Sequence, residues 1–337
     1  MVQGEYMIYL VKSPNSLVVD NNFTILEEAI KKVSPDICVL NSGNYLHTKY
    51  IKDSIIITGC LDYAFKLIVK GHKNVCAWVQ GIAPEESYLR NKSKIRYKIL
   101  SRIEKYTLKR LKYVLFVSDA MREHYEKKYS LRFESYDVFP CFNTKIHVDA
   151  FKNDKNKYKN NVFVYAGGTA KWQGLDAIVE AYSKIEKLIE NSKFLFLTND
   201  FKVAQELAKK YQLINYEVDY VKKEELPSKL SLCKFGFVLR ENILVNNVST
   251  PTKLSTYLSC GVIPIFSASI RDFTRVMENK KYKVVFTPTS FIDKIEMLKE
   301  VDLNEILNEY SEIFSSYYSN DHYATIISKR IQELMGK

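Results

Sequence analysis

The feature that most constrains this chain is alternation: short apolar runs separated by stretches of helical periodicity, from one end to the other. In the first half the apolar runs fall at 7–11, 37–40, 55–58, 75–79, 114–117 and 137–139. Helical stretches lie between them at 24–33, 62–70, 88–111 and 119–129. The second half continues the rhythm, with strand candidates at 162–166, 194–198, 216–218, 235–239, 262–266 and 283–286. Its helices are expected from about residue 175 and over 203–211, 224–233, 251–260, 270–278, 291–300, 303–318 and 322–334. Two strands can pair in parallel only through a crossover, which is usually a helix, so this alternation predicts parallel sheets covered by helices. A chain of 337 residues is long for one such domain and suits two.

The boundary is expected where the chain turns polar and lysine-rich, between Asn143 and Asn161. A stretch of that composition buries little apolar surface and reads as a linker. The predicted organisation is an N-terminal domain over 1–145, a linker at 146–160 and a C-terminal domain over 161–337, with the last helices as candidates to cross back. The six cysteines are widely spaced, with no Cys-x-x-Cys pair, and the five histidines form no ligand-spaced pair, so neither zinc nor a disulfide framework is expected. Asp-x-Asp, the Walker A pattern and G-x-G-x-x-G are all missing. No apolar run approaches the ~18–20 residues that span a bilayer. The first residues lack a basic start followed by an apolar run, so no signal peptide is expected and the protein is placed in the cytoplasm.

Two stretches can carry chemistry. From Gly236 to Ser267 an apolar strand leads into a polar loop, a short helix and a second apolar strand. Thr250 is placed to cap that helix, Pro251 falls at its first position and Gly261 follows its last turn. Orphan N–H groups and the helix dipole make such a corner an anion site, and Arg240 and Lys253 flank it with full positive charge. Upstream, the run 162–166 meets Gly167 and Gly168, then a polar turn with Lys171 and Trp172 before the next helix. Glycines let backbone N–H groups approach a phosphate closely. On composition alone, both stretches are better read as ordinary strand-loop-helix connections.

The string from Pro251 through Lys253, Tyr257 and Gly261 to Pro264 resembles the donor-site signature of retaining, GT-B-fold glycosyltransferases. Leu239, Arg240 and Asn246 also resemble a bacterial subgroup that builds surface polysaccharides. The resemblance implies an α/β protein with two Rossmann-like domains facing across a cleft. It further implies a nucleotide-sugar donor held by the C-terminal domain, an acceptor held by the N-terminal domain, and no cofactor or metal. Carried onto this chain, Arg240 and Lys253 are the catalytic cations, and Gly167, Gly168, Lys171, Thr250, Pro251, Thr252 and Thr256 bind the donor. Gln80 and Gly81 lie on the acceptor or sugar side. The chain departs from the pattern at several places. Thr256 stands where the family has a Glu that bonds the ribose, Gly168 and Gln173 where relatives carry Arg and Lys, and Gln80 where many have His. Those departures motivate a rival expectation, a degenerate GT-B protein acting as a non-catalytic partner subunit.

Net charge is +11, and it is concentrated. The stretch from Tyr88 to Lys112 holds Arg90, Lys92, Lys94, Arg96, Lys98, Arg102, Lys105, Lys109, Arg110 and Lys112 against one acid, Glu104. Ile95, Ile99, Ile103 and Tyr106 form one helical stripe, expected to pack on the sheet and leave a cationic face outside. Such a face suits anionic lipid, with Lys92, Lys94, Lys98 and Lys105 at the membrane surface. The expected location is therefore peripheral, at the inner face of the plasma membrane. A lipid-linked or polysaccharide acceptor would fit that location, in cell-surface polysaccharide biosynthesis. The basic and aromatic patterns of RRM and KH modules are missing, so nucleic acid is not an expected partner.

Overall fold

The computed structural model describes residues 7–13, 19–154 and 156–336; the first six residues, on which the signal-peptide expectation rests, lie outside this set. The chain divides into two compact units. Unit 1 comprises Met1–Asn143, Asn247–Thr250 and Ser319–Lys337, and unit 2 comprises Thr144–Asn246 and Pro251–Tyr318.

Unit 1 begins β1 (Ile8–Val11), α1 (Asp20–Lys31), β2 (Ile37–Leu40), β3 (Ile55–Thr58), α2 (Leu61–Val69) and β4 (Val75–Val79). It continues α3 (Ala83–Asn91), α4 (Lys94–Leu108), β5 (Tyr113–Phe116), α5 (Asp119–Tyr129) and β6 (Tyr136–Val138). The six strands form one sheet in the order β2-β1-β3-β4-β5-β6, and every pairing is parallel. β1, β3, β4 and β5 are buried along their whole length, as a parallel sheet covered on both faces requires.

The basic stretch differs from expectation in two ways. It is two helices, because Lys92 turns left-handed at φ 53° and ends α3. Ser93 then caps α4, its hydroxyl accepting from the Arg96 N–H at 3.3 Å. The apolar stripe is also not packed on the sheet: Ile95 is 74% exposed, Ile99 51% and Tyr106 38%. The reason is the lone acid. Glu104 is buried and accepts from the hydroxyls of Tyr129 at 2.6 Å and Tyr125 at 3.0 Å and from Lys128 at 3.1 Å. At 100° per residue, a helix that turns Glu104 inward carries Ile95 about 180° away, Tyr106 about 160° and Ile99 about 140°. A buried carboxylate sets the rotation, and the isoleucines follow it outward.

Unit 2 begins with α6 (Val148–Lys152), β7 (Val162–Ala166), a 3-10 turn at Lys171–Gln173, α7 (Leu175–Leu188), β8 (Lys193–Leu197), α8 (Phe201–Lys210) and β9 (Tyr216–Asp219). Then come α9 (Leu226–Leu230), β10 (Phe235–Val238), α10 (Leu244–Asn247), α11 (Thr252–Ser259), β11 (Ile263–Ser267), α12 (Arg271–Val276), β12 (Val284–Phe286), α13 (Phe291–Glu296) and α14 (Leu303–Ser315). Its six strands are also all parallel, in the order β12-β11-β10-β7-β8-β9. The stretch 146–160, expected as a polar linker, packs instead. Ala150 and Phe151 of α6 are buried, and Lys157 is fully buried with its ammonium donating to the carbonyls of Ala150, Leu230 and Cys260.

The last helix, α15 (Asn320–Leu334), belongs to unit 1 and packs along α1. Asn21 and Asn320 exchange amide hydrogen bonds at 3.3 and 3.4 Å, and Arg330 pairs with Asp137 at 3.5 Å. None of the helices among the described residues is long and apolar enough to cross a membrane.

Candidate functional site

In unit 2 the chain winds from β7 outward through β8 and β9, then returns to the other side of β7 with β10 and winds away through β11 and β12. The order therefore reverses between β7 and β10, which pair through Phe163 with Phe235 and Val164 with Gly236. Ligands of open α/β sheets bind at such a reversal, beyond the carboxyl ends of the strands. Here those ends deliver Gly167 after β7 and Arg240 after β10.

The two crest loops meet closely. Gly174, at φ 70°, lies where a Cβ would come within 2.6 Å of the Leu239 carbonyl oxygen, so no larger residue fits that turn. The Arg240 guanidinium donates to the Trp172 carbonyl at 2.7 Å and to Oε1 of Gln173 at 2.6 Å. Lys253, in the first turn of α11, donates to the same Gln173 oxygen at 2.5 Å and reaches the Tyr165 hydroxyl at 3.4 Å. Its ammonium lies 4.9 Å from the Tyr165 ring centroid. Gly167 makes room for it: φ is 146°, and a Cβ there would come within 2.6 Å of Lys253 Nζ. Tyr257 fixes α11 on the sheet, its hydroxyl accepting from the Ala166 N–H at 3.0 Å while its ring packs against Gly236.

Two cations thus share one neutral oxygen. Burial lowers Lys253 to about 7, and the Arg240 guanidinium adds to the effect. Burial lowers Arg240 as well, opposed by Tyr165 and Tyr257. Cations held this way, at a sheet reversal, make a site that an anion would relieve.

The other expected donor residues are placed as follows. The N–H of Gly167 is occupied by the Leu197 carbonyl at 2.9 Å, which corrects the expectation that it is a free donor to a ligand. Gly168 is exposed, with open space where a side chain would lie. Lys171 is exposed at the start of the 3-10 turn, and the cation beside Arg240 is Lys253. Thr250 does not cap α11: its hydroxyl accepts from the Cys141 N–H at 3.0 Å, and Pro251 occupies the cap position without a side-chain bond. Thr252 opens the helix, whose third residue, Leu254, already bonds the Pro251 carbonyl through its N–H at 3.1 Å. The Thr256 hydroxyl donates back to the Thr252 carbonyl at 3.1 Å. Sequence reasoning missed Tyr165 as a member of the cluster, because nothing in a buried strand distinguishes a tyrosine whose hydroxyl meets a cation from another element.

In unit 1, Gln80 follows β4 and donates to the Gly59 carbonyl at 2.8 Å. The Gly81 carbonyl accepts from the Tyr125 hydroxyl at 2.9 Å, and a side chain at Gly81 would collide with the Glu86 carboxylate. Glu86 in turn accepts from the Ile82 N–H at 3.1 Å. Glu85, in the first turn of α3, bonds Lys128 at 2.8 Å and accepts from the Tyr97 hydroxyl at 3.1 Å. Burial alone would raise its carboxyl, but His124 and Lys128 hold it down at about 2.

No family model matches the chain, and no curated protein matches it in sequence. Solved structures do match in fold. A mutant of S. aureus TarM in complex with fondaparinux, alpha-GlcNAc-glycerol and UDP superposes with a TM-score of 0.61 at 14% identity, over 87% of this chain and 57% of that one. The chain thus spans little more than half the length of TarM. An E. coli trehalose-6-phosphate structure bound with UDP-2-fluoro glucose gives 0.67 at 10% identity, over 97% of this chain and 98% of that one. A glycosyltransferase from Rickettsia africae gives 0.66 at 11% identity, over 99% of both chains. The chain has the α/β fold of these structures, with the two parallel six-stranded sheets expected of a GT-B protein.

Proposed function

We propose that this chain is a glycosyltransferase that transfers a sugar from a nucleotide-sugar donor, with the donor diphosphate held in unit 2 between the crests of β7 and β10. The observation that carries the reading is the pair Arg240 and Lys253 sharing the neutral oxygen of Gln173. When a glycosidic bond to a diphosphate breaks, negative charge develops on the departing phosphate. Preorganised cations in a partly dry site stabilise it without reorganising. These two side chains can supply that stabilisation without a metal. The comparison structures bound with UDP or UDP-2-fluoro glucose support the choice of donor class. Retention of anomeric configuration follows the resemblance of the stretch from Pro251 to Pro264. The acceptor in this reading is lipid-linked or a growing polysaccharide, delivered at an anionic membrane surface. The exposed cations Lys92, Lys94 and Lys98 and the outward isoleucines of α4 support that part.

The test is transfer or hydrolysis across a panel of UDP-, GDP- and ADP-sugars with Arg240→Ala. Losing a charge-assisted contact costs ~1.5–3 kcal/mol, so activity should fall roughly ten- to a hundred-fold with an unchanged melting temperature. Turnover equal to wild type with donor near its KM would remove Arg240 from the machinery. Binding of a nucleoside diphosphate without turnover of any sugar would favour the non-catalytic partner instead.

A further inference from the structure

We infer that Gln173 is a positioning and charge-setting residue, whose neutral amide oxygen holds Arg240 and Lys253 as one anion-binding pair without cancelling the charge of either. The inference rests on the diphosphate reading of this site and goes beyond it by explaining how two like charges are held side by side.

Arg240 arrives from the crest of β10 and Lys253 from α11, with α10 and its flanking loops between them in the chain. Left alone, two partly buried cations repel and would turn toward separate acceptors. Gln173 prevents this by offering one oxygen to both, at 2.6 and 2.5 Å. Its own placement is fixed. It ends the 3-10 turn, with its N–H on the Ala170 carbonyl at 2.7 Å, and Gly174 follows in the left-handed conformation that the nearby Leu239 carbonyl demands. The carbonyl of its neighbour Trp172 takes a second guanidinium bond. The same turn therefore aims the guanidinium and tethers the ammonium.

The amide matters as much as the oxygen. A carboxylate of the same shape would make two ion pairs and cancel half the charge offered to a ligand. It would also raise the Lys253 ammonium back toward the ordinary lysine range. A lysine at this place would add a third cation and leave Lys253 only the Tyr165 hydroxyl as an acceptor. Gln173 belongs with a cation supplied from α11 across Gly167, and the two features make one solution.

Calorimetric titration of the whole chain with UDP, GDP and ADP, across pH 6 to 9, distinguishes the roles. Gln173→Ala should bind the preferred nucleotide roughly ten-fold more weakly, since the pair loses its common acceptor. Gln173→Glu should also bind weakly, and its affinity should lose the decline with rising pH expected of wild type, because Lys253 then stays protonated. A merely structural glutamine would lower the melting temperature of both variants alike and leave the pH profile of binding unmoved. If wild type binds and Gln173→Ala binds equally well with the same pH profile, the inference is overturned and the proposed function stands. If Gln173→Glu binds as tightly as wild type, neutrality is not its role and the inference is likewise overturned. If wild type binds none of the three nucleotides, the proposed function fails and the inference falls with it.

Discussion

Burial makes the Lys253 ammonium costly to keep charged, the Arg240 guanidinium beside it adds to that cost, and together they lower it to about 7, well below the ordinary lysine range. The consequence for binding has a definite sign. A diphosphate favours the protonated form, so complex formation raises the ammonium back toward its ordinary value. Affinity should then be greatest below pH 7 and fall as pH rises through it, and above 7 binding should take up a proton. Calorimetry in buffers of different ionisation enthalpy measures that uptake directly. Lys253→Met should abolish the uptake and weaken binding, while a wild-type affinity flat from pH 6 to 9 would mean that the lysine does not meet the anion. At this scale the sequence was partly readable. Arg240 and Lys253 stand out because polar cations follow a strand and open a helix. Gln173 was visible only as a departure from a resembled pattern, and Tyr165 not at all, since its role depends on where α11 brings Lys253.

Helix α4 shows what periodicity can and cannot tell. The spacing of Ile95, Ile99 and Tyr106 marked a stripe, but periodicity alone does not say which side is inside. That is decided by Glu104, whose carboxylate is raised by burial yet accepts three hydrogen bonds among Tyr125, Tyr129 and Lys128. The outcome is a surface ridge of isoleucine within a field of Lys94, Arg96, Lys98 and Arg102, all exposed. On the proposed docking, attraction to a membrane would have two parts. Each basic residue near an anionic surface contributes ~1 kcal/mol and is screened by salt. Each isoleucine that enters the headgroup region adds up to ~1.5–3 kcal/mol, which salt does not remove. Anionic vesicles should therefore bind the protein strongly at low salt and keep part of it at high salt. Ile95→Ser with Ile99→Ser should remove the salt-resistant part, and replacing Lys92, Lys94, Lys98 and Lys105 by Gln should remove the salt-sensitive part. Co-sedimentation with neutral and anionic vesicles measures both. Equal binding to the two kinds of vesicle, or no effect of either variant, would leave α4 as a solvated surface.

Across the whole molecule, the alternation of apolar runs and helical stretches was enough to expect parallel sheets, because few other folds accept it. Strand order was not readable, since it depends on which side of β1 or β7 the chain returns to. The stretch 146–160 misled for a related reason: lysine-rich composition predicts solvent, but Lys157 is buried and donates to three carbonyls, one each from Ala150, Leu230 and Cys260. Burial lowers that ammonium to about 8, well below the ordinary lysine value of about 10.4. A group whose folded value lies below its unfolded value binds fewer protons when folded, so stability rises with pH between the two values. Lys157 therefore costs most stability below pH 8 and progressively less above it. Tyrosines such as Tyr310 act oppositely near pH 10, because burial keeps them protonated in the fold while the unfolded chain ionises. The useful window is roughly pH 8 to 9.5, over which Lys157 should contribute about 2 kcal/mol of rising stability. Lys157→Met leaves three carbonyls without their donor and should lower stability at every pH, by ~1–3 kcal/mol for each carbonyl that stays dry. The informative quantity is therefore the slope. Urea unfolding midpoints of wild type should climb relative to those of Lys157→Met as pH rises through the window. Parallel profiles for the two proteins would show that Lys157 keeps an ordinary ammonium despite its burial, with the three carbonyls stabilising its charge in place of water.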